Sequence, residues 1–172
     1  MKIKRILRFL FAATATIVLA FSAAAESAEQ TVTIPVTLTV VHTARSIDVT
    51  LPAALPVSVV NGRVLTADNL ELRNHSDTVS VCVAGIRVVD GSFSVAPFAA
   101  FPAGERNRIA LRINGCETAG AGALQLTEEA FPAIPAGSSL PVRYEAKVSA
   151  SEDVSGISAA SIVFTLRVAD QA

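Results

Sequence analysis

Tryptophan is absent, and Tyr144 is the only tyrosine among 172 residues. Carbohydrate-binding platforms usually offer exposed aromatic rings, so this scarcity argues against a lectin-like face. Tyr144 shares its parity with Val142 and Val148, which places it in the core rather than on a surface. Only two histidines occur, His42 and His75, both bordering polar turns, and no Gly-x-Ser-x-Gly elbow is present. Nucleophilic catalysis needs a serine or cysteine beside a base held in place, and no such frame is visible. The two cysteines, Cys82 and Cys116, have no Cys-x-x-Cys or His-x-x-x-His spacing around them. A metal site built from them with His42 and His75 is therefore not expected, and neither is a reactive thiol. Asp68, Asn69, Glu71 and Asp77 lack the alternating order of a calcium loop. Gly120-Ala121-Gly122 lacks the Lys-Ser/Thr that would complete a phosphate cradle and reads as a connector. Glu128 and Glu129 are adjacent, so they diverge on either a strand or a helix and form a solvated face. No cofactor is implied.

Long hydrophobic runs are also missing. The longest, Phe9 to Phe21, is 13 residues, short of the roughly 20 a membrane helix needs. It follows the basic start Lys2, Lys4, Arg5 and Arg8, and the small residues Ser22-Ala23-Ala24-Ala25 close it. That order predicts a secretory signal peptide over residues 1–25, cleaved after Ala25, and an exported protein in an oxidising, extracytoplasmic setting. No second hydrophobic stretch and no cysteine at the cleavage point suggest membrane insertion or lipidation afterwards. Of fourteen basic residues four lie in the leader, so ten face all fifteen acidic ones beyond it, a formal −5. This mildly acidic balance argues against nucleic acid and against polybasic docking to lipid. Lys147 is the only lysine of the mature chain, a bias that genome composition can produce. Residues 26–172 carry no linker, charge block or internal repeat and read as one domain.

What the chain does have is alternation. Thr31 to Val41 reads TVTIPVTLTVV, with Val32, Ile34, Val36, Leu38 and Val40 on one parity and threonines on the other. A period of two makes this a strand with one apolar face. Pro35 cannot donate a ladder hydrogen bond, which predicts a sheet edge. Two uses of such a strand stay open: the first edge strand of its own domain, or a strand added to a neighbour's sheet. Asn61-Gly62 between β-formers predicts a type I′ hairpin. Val79, Val81 and Val83 hold one parity, Ile86 and Val88 the other, and Gly85 between them predicts a β-bulge. Asp90-Gly91 predicts a turn, and Asn114-Gly115 ends the strand Ile109–Ile113. Val142 to Val148 and Ile162 to Val168 are the last two strands, and only Thr127 to Phe131 could form a helical turn.

Nine to eleven short strands with turns between them, and no helical crossovers, predict an all-β fold. The expected architecture is an antiparallel β-sandwich or jelly roll. Two cysteines in an exported chain predict a disulfide between Cys82 and Cys116, worth about 4 kcal/mol by loop closure. Asn74-His75-Ser76 fits an N-glycosylation sequon, at a frequency close to chance.

The phrase Leu70-Glu71-Leu72-Arg73-Asn74-His75-Ser76-Asp77, followed by Val79-Ser80-Val81, resembles the strand, Asn-polar-Ser turn, Val-x-Val strand of bacterial surface β-sandwiches. Fibre-forming biofilm-matrix subunits of the camelysin type have it. Ile134-Pro135-Ala136-Gly137-Ser138-Ser139-Leu140, leading to Tyr144-Glu145-Ala146-Lys147, resembles small exported proteins of Gram-positive bacteria with no assigned activity. The resemblance carries no site residues and implies a non-enzymatic surface or matrix role. The expectation is thus an exported, non-catalytic β-sandwich acting by protein–protein contact at the cell surface or in the extracellular matrix. Its partner is another protein or a second copy met through a sheet edge. The alternative is an extracellular module binding carbohydrate or peptide.

Overall fold

A computed structural model describes residues 30–40, 47–150 and 156–169. The expected signal peptide, residues 1–25, and His42 lie outside the described residues. Among those described, the chain is all-β with no helix. The strands are β1 (Gln30–Val40), β2 (Val49–Thr50), β3 (Ala54–Val60), β4 (Arg63–Thr66), β5 (Leu70–Asn74), β6 (Val81–Asp90) and β7 (Ser94–Val95). They continue as β8 (Arg108–Ile113), β9 (Cys116–Glu117), β10 (Gly122–Ala123), β11 (Ser139–Val142), β12 (Tyr144–Ser149), β13 (Ile157–Ser158) and β14 (Ala160–Val168). Thr127 to Phe131 makes one turn, in which the Phe131 amide donates to the Thr127 carbonyl, and it goes no further.

The largest sheet runs β10–β6–β14–β1–β3–β4, with β13 against β1; a second runs β11–β5–β2; a third runs β12–β8–β7, with β9 on β8. β4 lies alongside β12 and β7 alongside β6, so the sheets curl around one apolar core. Ile34, Leu55, Leu72, Ile86, Phe93, Ile109, Leu111, Ile113, Ile162, Phe164 and Leu166 fill it. These are the inward members of the alternating segments, as a period of two requires.

Local signals hold where turn chemistry governs. Asn61 and Gly62 have φ of 51° and 75° and join Val60 to Arg63, and Asn114 and Gly115, at 46° and 87°, join Ile113 to Cys116. Both are two-residue hairpins with positive φ, which asparagine and glycine tolerate best. Opposite β14, Thr165 pairs with Gly85 but Leu166 pairs with Val83, so Ala84 is the extra residue of a bulge. It moves the buried set from Val81 and Val83 to Ile86 and Val88.

The antiparallel expectation fails at three pairings: β1 runs parallel to β13 and to β14, and β7 runs parallel to β8. β1 and β14 come from opposite ends of the described chain, so no tight turn dictates their direction. Pro35 does not mark an outer edge either, since β1 lies inside the sheet order. The Thr33 carbonyl accepts from the Ala159 amide, while the Val36 amide donates to the Ala53 carbonyl. Odd residues therefore face β13 and β14, and even ones face β3. The N–H that Pro35 lacks would point to the interval where β1 passes from Ser158 (opposite Thr33) to Ile162 (opposite Val36). A proline is tolerated there because no ladder pair is lost.

Two polar side chains bind the layers together. Asn74 is fully buried; its amide nitrogen donates to the carbonyls of Val79 (2.8 Å), Ile134 (3.0 Å) and Pro135 (3.1 Å), and its oxygen accepts from the Ser76 amide at 3.0 Å. Tyr144, 5% exposed as its parity predicts, donates its hydroxyl to the Pro56 carbonyl and accepts from the Ala67 amide at 3.1 Å. Burial raises the Tyr144 pKa above its ordinary value of 10, while the bond from Ala67 acts in the opposite direction. A phenol that holds its proton more tightly when folded stabilises fully below its unfolded pKa and loses that contribution above it. Stability is expected to be flat through neutral pH and to fall as pH rises beyond about 10. Tyr144→Phe should cost about 1–2 kcal/mol at pH 7 and remove this alkaline fall. Urea titrations at pH 7 and above 10 check it, and an unchanged alkaline limb in Tyr144→Phe would refute the assignment.

Candidate functional site

The outer face of β9–β8–β12 carries a row of charges. Arg112 on β8 stands in register between Glu117 on β9 and Glu145 on β12, bonding them at 2.6 Å and 2.9 Å. These cross-strand bonds, first to Glu117 and then to Glu145, raise the Arg112 pKa further and hold it charged. Ala110, Ala96 and Phe98 form a small apolar cluster on the same sheet. The Phe98 ring has the Arg112 guanidinium and the Lys147 ammonium each 4.3 Å from its centroid. Lys147 also donates to the Phe98 carbonyl at 2.7 Å. Lys147, the only lysine among the described residues, thus covers, with Arg112, a phenylalanine that is only 3% exposed.

Beside this row lies an open cleft of about 540 Å³, lined by Arg112, Asn114, Gly115, Glu129, Ala130, Pro141, Arg143, Tyr144 and Glu145. Asn114 builds its floor: the side chain donates to the carbonyls of Ala130 and Pro141, both at 3.1 Å, and accepts from the Arg143 amide at 2.8 Å. Arg112 and Glu145 neutralise each other, whereas Arg143 and Glu129 make no ion pair among the described residues. The cleft can offer one guanidinium and one carboxylate to a polar ligand, and its lining holds no serine, cysteine or histidine. Sequence reading placed Glu129 on a solvated face and saw only a turn at Asn114. The missed signal was charge at outward positions of neighbouring strands that fall in register, namely Arg112, Glu117 and Glu145.

The second feature is the upper half of β1. Beyond Val36 it pairs with β14 on one side only, because β3 begins at Ala54. Leu38 and Val40 share the parity of Val36, so their N–H and C=O groups face the unpaired side and have no partner among the described residues. Leu38 is 38% exposed, and Thr37 and Thr39 are exposed on the other face.

The disulfide expectation is overturned. Cys82 and Cys116 are both free and not within bonding distance. Cys116, on β9, is buried in the core, whereas Cys82 has the parity opposite to buried Val81 and Val83 and is half-exposed outside the large sheet. Cys116 is thus part of the core, and Cys82 stands on the face of β6 turned away from it. Reduction should leave the intact mass unchanged. Native protein should take up one equivalent of a thiol reagent at Cys82, with Cys116 reacting only after unfolding. Loss of two thiols per chain before reduction would refute this.

Other expected positions resolve simply. His75 is exposed, with Nε2 2.9 Å from the Thr50 hydroxyl. Among the described residues no group of three His, Cys, Asp or Glu could hold a metal ion. Asn74 of the sequon is buried with its amide fully engaged, so a folded chain does not present it to a glycosylating enzyme. Comparison with family models, with curated proteins and with solved structures gives no match.

Proposed function

We propose that this chain is exported by its N-terminal segment, cleaved after Ala25, and acts as a non-catalytic β-sandwich through protein–protein contact at the cell surface or in the extracellular matrix. Curled sheets around one core support the sandwich arrangement. The observation that carries the contact reading is the edge of β1 at Leu38 and Val40, which has no partner among the described residues. A sheet edge offers a ready template for another strand, and natural edges are usually blunted by charge, proline or a bulge. Val36 to Val40 contains none of these. The resemblance to camelysin-type matrix proteins points the same way.

Cells making the full chain provide the test. The protein should fractionate outside the cytoplasm with Glu26 as its first residue, and a photoreactive side chain at Leu38 should yield protein adducts there. Intact Met1 in the cytoplasmic fraction, or no adduct from Leu38, would overturn the reading. Arg143 and Glu129 in the cleft, which form no ion pair among the described residues, favour a second reading, a module for carbohydrate or peptide. Reproducible glycan-array binding that Arg143→Ala abolishes would put that reading first.

A further inference from the structure

Resting on the contact reading, we infer that the partner at the β1 edge is a second copy of this chain, paired antiparallel about a two-fold axis at Thr39. The available frontage dictates the register. The Ala53 carbonyl already takes the Val36 amide, so an incoming strand can use the even residues only beyond that point. Leu38 and Val40 remain, two residues apart with Thr39 between them. In an antiparallel pair, residues that face each other exchange both N–H···O bonds. Leu38 of one chain would exchange them with the partner's Val40, and Val40 with the partner's Leu38. Each N–H and C=O of Leu38 and Val40, without a partner among the described residues, is used once, giving four hydrogen bonds. A register centred on Leu38 would instead set the partner's Val40 against Val36, where Ala53 sits.

The faces match as well. An isologous contact sets a surface against itself, so it must be self-complementary. Thr39 lies opposite the partner's Thr39 at a close, non-hydrogen-bonded position, a favourable cross-strand pair for threonine. Leu38, exposed and on the same side as buried Phe164, then lies beside an apolar residue. No charge occurs between Gln30 and Val41, so nothing in this pairing sets like charges opposite each other.

The interface is short, so association should appear between about 10 µM and 1 mM. Light scattering after size-exclusion chromatography should show the purified protein moving from monomer to dimer over that range. Thr39→Lys and Thr39→Glu, each folded by circular dichroism, should stay monomeric alone and form a dimer when mixed, because the axis sets position 39 against itself. Thr39→Cys with Cys82→Ser should give an oxidised dimer, since this pair stands about 4.5 Å apart at Cα; this variant decides the matter if the charged ones do not fold. A monomer at 1 mM, dimers indifferent to charge at position 39, or no oxidised dimer would overturn the inference. Leu38 photo-adducts to a different protein from a monomeric chain would remove the second copy while leaving the contact reading intact.

Discussion

Replacing Asn74 with leucine is expected to lower the free energy of unfolding by about 3–5 kcal/mol. The substitution takes the Asn74 bond from the Val79 carbonyl and the Ser76 amide, and removes the second bond of the Ile134 and Pro135 carbonyls, which keep the Val81 and Ser138 amides. Each group stranded away from water costs about 1–3 kcal/mol, and water can reach part of this junction by local relaxation. The Asn74 backbone is committed too, its N–H donating to the Ser138 carbonyl at 2.9 Å, while the Ile134 and Val81 amides exchange bonds with each other's carbonyls. One side chain therefore joins the end of β5, the approach to β6 and the segment before β11. Against a domain stability of 5–15 kcal/mol, the loss leaves a chain that unfolds at much lower urea. Asn74→Asp is the informative companion. It keeps an acceptor for the Ser76 amide but aims a carboxylate at three carbonyl oxygens, so it should be no milder than leucine. A midpoint shift equivalent to less than 1 kcal/mol for either variant would show that Asn74 is not the joint described.

Gly91→Ala is expected to cost about 2–3 kcal/mol, for want of space rather than for conformation. Gly91 is not among the positive-φ glycines. A Cβ there would stand 2.7 Å from the Ser158 oxygen and 2.8 Å from the Ala159 oxygen, both backbone atoms. The chain is pinned at this crossing: the Ser92 amide donates to Ser158, the Phe93 amide to Ala159, and the Val95 amide to the Asp90 carboxylate at 2.7 Å. Moving the β13–β14 backbone aside would disturb Ala159 and Phe93, both buried. Overpacking of this kind costs about 1–3 kcal/mol, sometimes more. Gly62 is the control, because it has φ of 75° and open space around the missing Cβ. Gly62→Ala should cost only about 1 kcal/mol, from its left-handed backbone. Urea titrations of both variants check the contrast, and the opposite ranking would falsify the close-approach account.

The division between what was legible and what was not follows the range of each interaction. Residue alternation alone determined the all-β class, the inward set of nearly every long strand and the core position of Tyr144. Short turns with a stated chemistry, Asn61-Gly62 above all, and the parity change around Gly85 were equally legible, because their causes lie within a few residues. Strand pairing across the chain was not. Alternation places Ile34 on the buried face of β1 but is silent on the neighbour, so only the tertiary structure decided that β1 lies parallel to β14 and that Pro35 falls at a gap between partners. The cysteine error has the same origin. Parity put Cys82 opposite the inward valines, but whether Cys116 could reach it depended on which sheet β9 joined. Asn74 read as a turn residue from its neighbours. Its burial comes from Ile134 and Pro135, some sixty positions away, brought there by packing that no local pattern encodes. Among the described residues, Leu38 and Val40 face no neighbour because β3 begins only at Ala54, a boundary between strands that meet only in the folded chain.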